Sequence, residues 1–513
     1  MSFCSILFLG EDTPRAEASE DPAFFEDLNL DQVADALLAG RETYNLRPFF
    51  RMPLQDVDSV AYRHEVFRDL EQGPVFEAIA TFSESMRIIR DALDAIAKLY
   101  YPHERERWIV DASSRYCEAV TTLSNELNRL PLASRGLLAL RGFLTDYQGS
   151  SGFRGLVADI DQIREKLAAI TYAVLIDGNR LTVRDLEGEG DLVAAIHETF
   201  ARFRYGAPKS YLLKFSNRLG MNGIEAKVLE FVARLHPDVF SELDRFAEQH
   251  SEFIHPLVRQ FNREVQFYLA YIEYARIFEA AGLPMCYPDV RTDDKAVHAD
   301  DAFDVALARR LVEADEDVVC NSFELRGSER VFVVSGPNQG GKTTFARTFG
   351  QMHYLAALGC QVAGRAATAH LFDAIFTHFE RQEDPLALRG KLEDDVIRIH
   401  DILEQATSNS IIILNEIFAS STARDASVLG HRVLDRILDL DALCVCVTFI
   451  DELSTLSEKT VSMVSLVNPA NLDVRTYKLV RRPADGLAYA VSLAEKYSLT
   501  YGQLRTRLSG GRE

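Results

Sequence analysis

The stretch SGPNQGGKTTFAR, Ser335 to Arg347, follows the apolar run RVFVV and fits GxxxxGK[ST] from Gly336 to Thr343. Each part has work to do on a phosphate chain. Gly336, Gly340 and Gly341 let the backbone curl so that N–H groups of the turn, among them Asn338, Gln339 and Thr344, surround the phosphates, Pro337 contributing only its fixed φ. A helix starting near Lys342 aims its positive end at the same place. Lys342 reaches the β- and γ-phosphates, and the Thr343 hydroxyl is a ligand for Mg²⁺. A nucleotide site of this kind also needs an acid at a strand end to hold the metal's water shell and orient the attacking water. SIIILNE supplies Glu416 for that role, preceded by Asn415, whose amide oxygen accepts a hydrogen bond without bringing charge.

These residues need strands to carry them. From about residue 290, apolar runs alternate with helical patterns: RVFVVSG, SIIILNE, ALCVCVTF, VSMVSLV and VRTYKLV. Continuous apolar strands between helices predict an α/β layer fold with covered parallel strands. Up to about residue 285 the pattern is helical. Residues 56–100 space their apolar side chains by three and four, with one break at Gly73-Pro74, and residues 241–283 do the same until Gly282. Long helices need partners along their length, so this half is expected to be an elongated helical assembly. One island differs: AAITYAVLIDGNRLTVRDLEGEGD predicts two strands joined at Asp177-Gly178-Asn179.

Directly after the hairpin, residues 202–227 hold six basic residues, Arg202, Arg204, Lys209, Lys214, Arg218 and Lys227, against one acid, Glu225. Phe203, Tyr205, Tyr211 and Phe215 are interleaved. The competing reading is a solvated helix face with ordinary core aromatics. The chain as a whole is acidic, with a formal net charge of −21 over 513 residues, which argues against indiscriminate polyanion binding. The seven cysteines form no CxxC pair and the twelve histidines show no ligand spacing, so buried thiols in a reducing compartment are expected. No run approaches the ~20 apolar residues of a membrane span. MSFCSILFLGED lacks a basic flank and a cleavage site, and reads as an early strand or packing segment of a cytoplasmic protein. Asp394-Asp395 falls on a helical pattern and reads as a solvated face.

GPNQGGKTTFARTFGQMHYLAALG, NEIFASSTARDA and VTFIDEL together resemble the ATPase domain of MutS-type DNA mismatch repair proteins, a branch of the ABC ATPases. RPFFRMPLQDVDSVAYRHEVFRDL is more weakly similar to the MutS core and lever region. The resemblance implies a multidomain chain: a mostly α-helical core and lever region over 1–285, with a small β-hairpin or clamp-like insert near 170–227, then an α/β P-loop ATPase domain of ABC type over 286–513. It implies ATP and Mg²⁺ as cofactors, a homodimer formed through the ATPase domains, and DNA as partner. The six basic residues of 202–227 are then the expected phosphate contacts, because an acidic protein must meet DNA with a local positive surface.

The departures from the family also shape the expectation. The short stretch before Arg47 leaves no room for mismatch-reading and connector domains. Phe24-Phe25-Glu26 echoes the family's mismatch wedge, as do two other Phe-x-Glu tripeptides, and is read as chance. Leu392-Glu393 stand where the family places a signature hydroxyl for the partner subunit's γ-phosphate. Phe449 stands at the switch-histidine position, while Asp425 matches an acid of the dimer's composite site. The chain is therefore expected to bind ATP, to hydrolyse it slowly if at all, and to recognise DNA structure in repair or recombination rather than single mismatches. The alternative is a nucleotide-gated interaction protein with an impaired ATPase and no direct DNA contact. Relatives of the structural-maintenance-of-chromosomes type would need long heptad arms that are absent, and no GxSxG elbow is present.

Overall fold

The computed structural model describes residues 3–10, 20–178, 180–186, 220–380, 390–468, 471–484, 501 and 504–505. The chain forms two compact units, one of residues 1–4 with 69–262 and one of residues 5–68 with 263–513.

Among the described residues the first unit is helical apart from one hairpin. Gly73–Ile96 begins at the expected Gly-Pro break and buries Val75, Ile79, Phe82, Met86 and Ile89, one stripe at helical spacing. Pro102–Arg129 lies against it and buries Val110, Cys117, Val120 and Leu127. Polar side chains set the ends of the next helices. Ser134 accepts from the Leu137 N–H and Ser150 from the Phe153 N–H, starting Arg135–Gly149 and Ser151–Ala168. Asp69, itself buried, accepts the N–H groups of Ala133 and Ser134 ahead of the first of these. The hairpin pairs Tyr172–Asp177 with Arg180–Asp185, Asp177 opposite Arg180, and Gly178 turns at φ +59°. Gly223–Leu235 then starts in a reciprocal cap between Asn222 and Glu225.

The second unit is built on a six-stranded sheet in the order Ile375–His378, Ile411–Asn415, Leu443–Val447, Val331–Ser335, Thr460–Asn468, Asn471–Arg481. The first five strands are parallel and the last two form an antiparallel pair. Every residue of Val331–Ser335, Ile411–Asn415 and Leu443–Val447 is buried, as their unbroken apolar character requires. The Cys444 and Cys446 thiols lie in this core, and burial pushes the Cys446 thiol up to about 12. Helices Lys342–Ala357, Lys391–Gln405 and Ala423–Leu440 follow strands of this sheet. A four-stranded sheet holds Asp289–Arg291, Ala366–His370, Val297–Ala302 and Asn321–Leu325, short strands whose sequences carry few large apolar residues.

Residues 5–68 fold with this α/β unit although their periodicity is that of the helical half. Buried polar groups explain why. The Ser5 hydroxyl and the Ile6 N–H both donate to Glu264 Oε2 at 2.9 Å. Arg63, fully buried, donates to the carbonyls of Leu7 (3.0 Å) and Leu358 (2.8 Å), with Phe8 and Phe267 rings over its guanidinium. The opening segment is thus packing rather than strand: Ile6 and Leu7 are buried with no regular secondary structure. The Phe24-Phe25 pair packs its rings on Tyr354, which gives this tripeptide a structural role.

Candidate nucleotide site

The glycine turn leaves the C-terminal end of the central strand Val331–Ser335 and runs into the helix Lys342–Ala357. Gly336 (φ +121°), Gln339 (φ +59°) and Gly341 (φ +91°) take positive φ. Gly340 is required for a different reason: a Cβ there would lie 2.4 Å from Ser465 Oγ and 2.9 Å from the Pro337 carbonyl. The Ser465 hydroxyl fills that space, donating to the Gly340 carbonyl at 2.6 Å. Arg475 Nε donates to the Asn338 carbonyl at 3.1 Å. The neighbouring strands Thr460–Asn468 and Asn471–Arg481 therefore brace the turn from one side.

Lys342 is only 4 % exposed. Its ammonium donates to the carbonyls of Gly336 (3.0 Å) and Pro337 (3.3 Å) and to Asn338 Oδ1 (3.5 Å). Glu416 Oε1 is 3.9 Å away, and the Phe449 ring lies over Nζ at 4.5 Å. Burial holds the Lys342 ammonium below the usual lysine range, Glu416 pulling it back up and Arg475 adding to the depression.

The strand Ile411–Asn415 ends beside the turn. The Thr343 hydroxyl donates to Asn415 Oδ1 at 2.9 Å, joining the two residues expected at a metal. Glu416 follows in a left-handed conformation, φ +56°, uncommon outside glycine, and its N–H bonds to the Val447 carbonyl at 2.9 Å. That bend takes its carboxylate out of the strand toward Lys342. The Thr343 hydroxyl, the Asn415 amide oxygen bonded to it, and the carboxylate of the next residue, Glu416, are all hard oxygen donors. This set fits Mg²⁺, which prefers oxygen and keeps several waters.

Beside Gly341 and Thr344 opens a cavity of about 330 Å³, lined by Phe303, Leu307, Leu311, Val318, Val319 and Tyr477 among others. Asn321 shapes its rim, donating to the Tyr477 carbonyl and accepting the Leu479 N–H. None of these residues is legible as a site in the sequence, because they come from separate segments and have no motif.

The remaining expected positions divide. Leu392 packs on the core of the sheet while Glu393 is exposed, so this carboxylate points away from the apolar interior. Asp425 exchanges hydrogen bonds with Thr422 at the start of Ala423–Leu440. Asp395 corrects the expectation of a solvated face: it is buried, its Oδ1 3.2 Å from His378 Nε2, and burial raises its carboxyl. Lys227 is exposed and paired with Glu230 on its own helix at 2.7 Å. Arg202, Arg204, Lys209, Lys214 and Arg218 lie outside the described residues.

Comparison with known proteins gives the same region. Residues 332–499 match the family model of MutS domain V. The chain is 29 % identical over 232 residues to the DNA mismatch repair protein MutS of Erythrobacter litoralis, covering 42 % of this chain and 26 % of that protein. It is 25 % identical over 215 residues to MutS of Orientia tsutsugamushi, 41 % of this chain and 24 % of that protein. It is 22 % identical over 328 residues to the mismatch repair protein Msh2 of Dictyostelium discoideum, 63 % of this chain and 31 % of that protein. The matched part spans about a quarter to a third of the length of these relatives.

Proposed function

We propose, for a chain that belongs to the MutS family by its domain V, that the turn from Gly336 to Thr344 binds ATP with Mg²⁺. The observation that carries this reading is the pairing of the Thr343 hydroxyl with Asn415 Oδ1 at 2.9 Å beside a lysine, Lys342, whose ammonium lies 3.9 Å from the Glu416 carboxylate. Phosphates lie against the turn's N–H groups and the start of the helix Lys342–Ala357. The nucleotide base enters the cavity beside Gly341 and Thr344, where Phe303, Leu307, Leu311 and Tyr477 offer apolar surface and Asp304, Glu316, Asp317 and Asn321 offer polar atoms. Thr343 and Asn415 hold the metal, Asn415 through its water shell; the metal supplies charge neutralisation on the phosphates. Glu416 orients the attacking water and takes its proton. Lys342 bonds the β- and γ-phosphates, whose negative charge also restores its proton affinity.

The chain's further role, in this reading, is recognition of DNA structure in repair or recombination by a dimer joined through the nucleotide units. Turnover measured with no DNA, duplex, branched and single-stranded DNA at fixed salt tests it; stimulation by one form is the expected result, and none contradicts the DNA role. A second reading is favoured by Leu392 and the exposed Glu393 at the signature position: a nucleotide-gated interaction protein with little hydrolysis and no DNA contact. Unstimulated turnover together with intact ATP binding would select it.

A further inference from the structure

Lys342 is enclosed on every side that the described residues supply. Its three N–H bonds are spread over three acceptors of its own turn, Gly336 O, Pro337 O and Asn338 Oδ1. Glu416 stands at 3.9 Å, and the Phe449 ring covers the ammonium at 4.5 Å. A phosphate oxygen must come within ~2.8 Å of Nζ to bond it. One member of the enclosure has to leave, and the members differ in what holds them. The carbonyls are part of the braced turn. The Glu416 backbone is tied to Val447, and its carboxylate compensates the ammonium's charge from 3.9 Å. Phe449 is a large apolar side chain 52 % exposed to solvent, just past the end of the strand Leu443–Val447.

We infer that Phe449 is a displaceable cover on Lys342: its ring shields the ammonium in the nucleotide-free protein and must swing off before a nucleotide's phosphates engage. This rests on the reading of the turn as a nucleotide site. The cover keeps the charge of a buried lysine compensated while no anion is bound, since the ring's negative face is directed at Nζ. It also sets a threshold, because a ligand must recover the cation–π contact it breaks. A histidine at this position could reach a phosphate as a donor; a phenylalanine has no polar atom and acts only by occupying the approach.

The test is calorimetric titration of the full chain with MgADP and with a non-hydrolysable ATP analogue plus Mg²⁺, in the parent, Phe449→Ala and Phe449→Leu. Phe449→Ala is expected to bind about two- to thirtyfold tighter, the span between an exposed and a desolvated cation–π contact. Phe449→Leu, which keeps bulk without the π face, should fall between. A second readout follows the ring. With the single tryptophan removed (Trp108→Phe), Phe449→Trp should become more accessible to acrylamide quenching when nucleotide is added. Binding seen only in Phe449→Ala would also support the cover. Equal or weaker binding in Phe449→Ala overturns the cover and leaves the nucleotide site standing. Absence of binding in parent and variants overturns both.

Discussion

In the turn at Ser335–Lys342, single atoms decide which residue is tolerated. A Cβ on Gly340 would meet Ser465 Oγ at 2.4 Å, and Lys342 alone is met by three turn acceptors. In the helix Gly73–Ile96 of the other unit, Val75, Ile79, Phe82, Met86 and Ile89 are buried because they recur at helical spacing. Any apolar residue of similar volume would meet that demand. The difference separates function from stability: a change in the turn should abolish chemistry in a folded protein, and a change in the helix should weaken folding and leave the chemistry alone.

The sharpest way to break this contrast is Glu416→Gln. It should lower whatever ATP hydrolysis the parent shows by at least ~10²-fold, the share of a positioned general base, with nucleotide affinity kept. Ile79→Ala on the helical side should cost about 2–5 kcal/mol in denaturant unfolding of its unit. Its effect on nucleotide affinity should be nil; a linked loss would mean that the two kinds of burial are not independent. Gly340→Ala should weaken nucleotide binding about fivefold or more, as overpacking by one methyl costs about 1–3 kcal/mol. Adding Ser465→Gly should restore part of the loss, because the closest clash is with that hydroxyl.

Acid exposes the α/β unit in particular. Burial holds His353 and His64 down at about 4. Each is neutral when folded and takes up a proton on unfolding below its ordinary value of about 6.5, so stability is complete above pH 6.5 and falls as pH drops toward 4. The thermal midpoint should decline over that window, and His353→Asn, whose amide can replace the bond of Nδ1 to the Phe349 carbonyl, should flatten the decline. The smallest expected effect is that of Asn415→Asp. A full charge beside the metal's water shell should lower the Mg²⁺ concentration needed for half-maximal turnover. A higher requirement would count against placing Asn415 there.

Which features could be read from the chain follows from the same contrast. The glycine turn, the Asn415-Glu416 strand end, the Gly73-Pro74 break and the hairpin at Gly178 are local: the residues that make them are adjacent in sequence. The cavity was illegible because Phe303, Val318 and Tyr477 meet only after folding. Asp395 reads as a surface acid until His378, from the adjoining strand, is brought to it. Arg63 sits in a helical pattern that gives no sign of its burial; its acceptors, Leu7 and Leu358, lie far away in the chain. For the same reason residues 5–68 could not be assigned to the α/β unit by periodicity. Short strands such as Val297–Ala302, sequence VHADDA, carry too few large apolar residues to announce themselves.

A nucleotide site at Gly336–Thr344 owes its affinity to Lys342. Isothermal titration of the parent and of Lys342→Ala with a non-hydrolysable ATP analogue and Mg²⁺ reads that dependence. Saturable one-site binding in the parent, lost in Lys342→Ala while the thermal midpoint stays near that of the parent, is the predicted result. Equal affinity in the two proteins, or no binding in the parent, would contradict it.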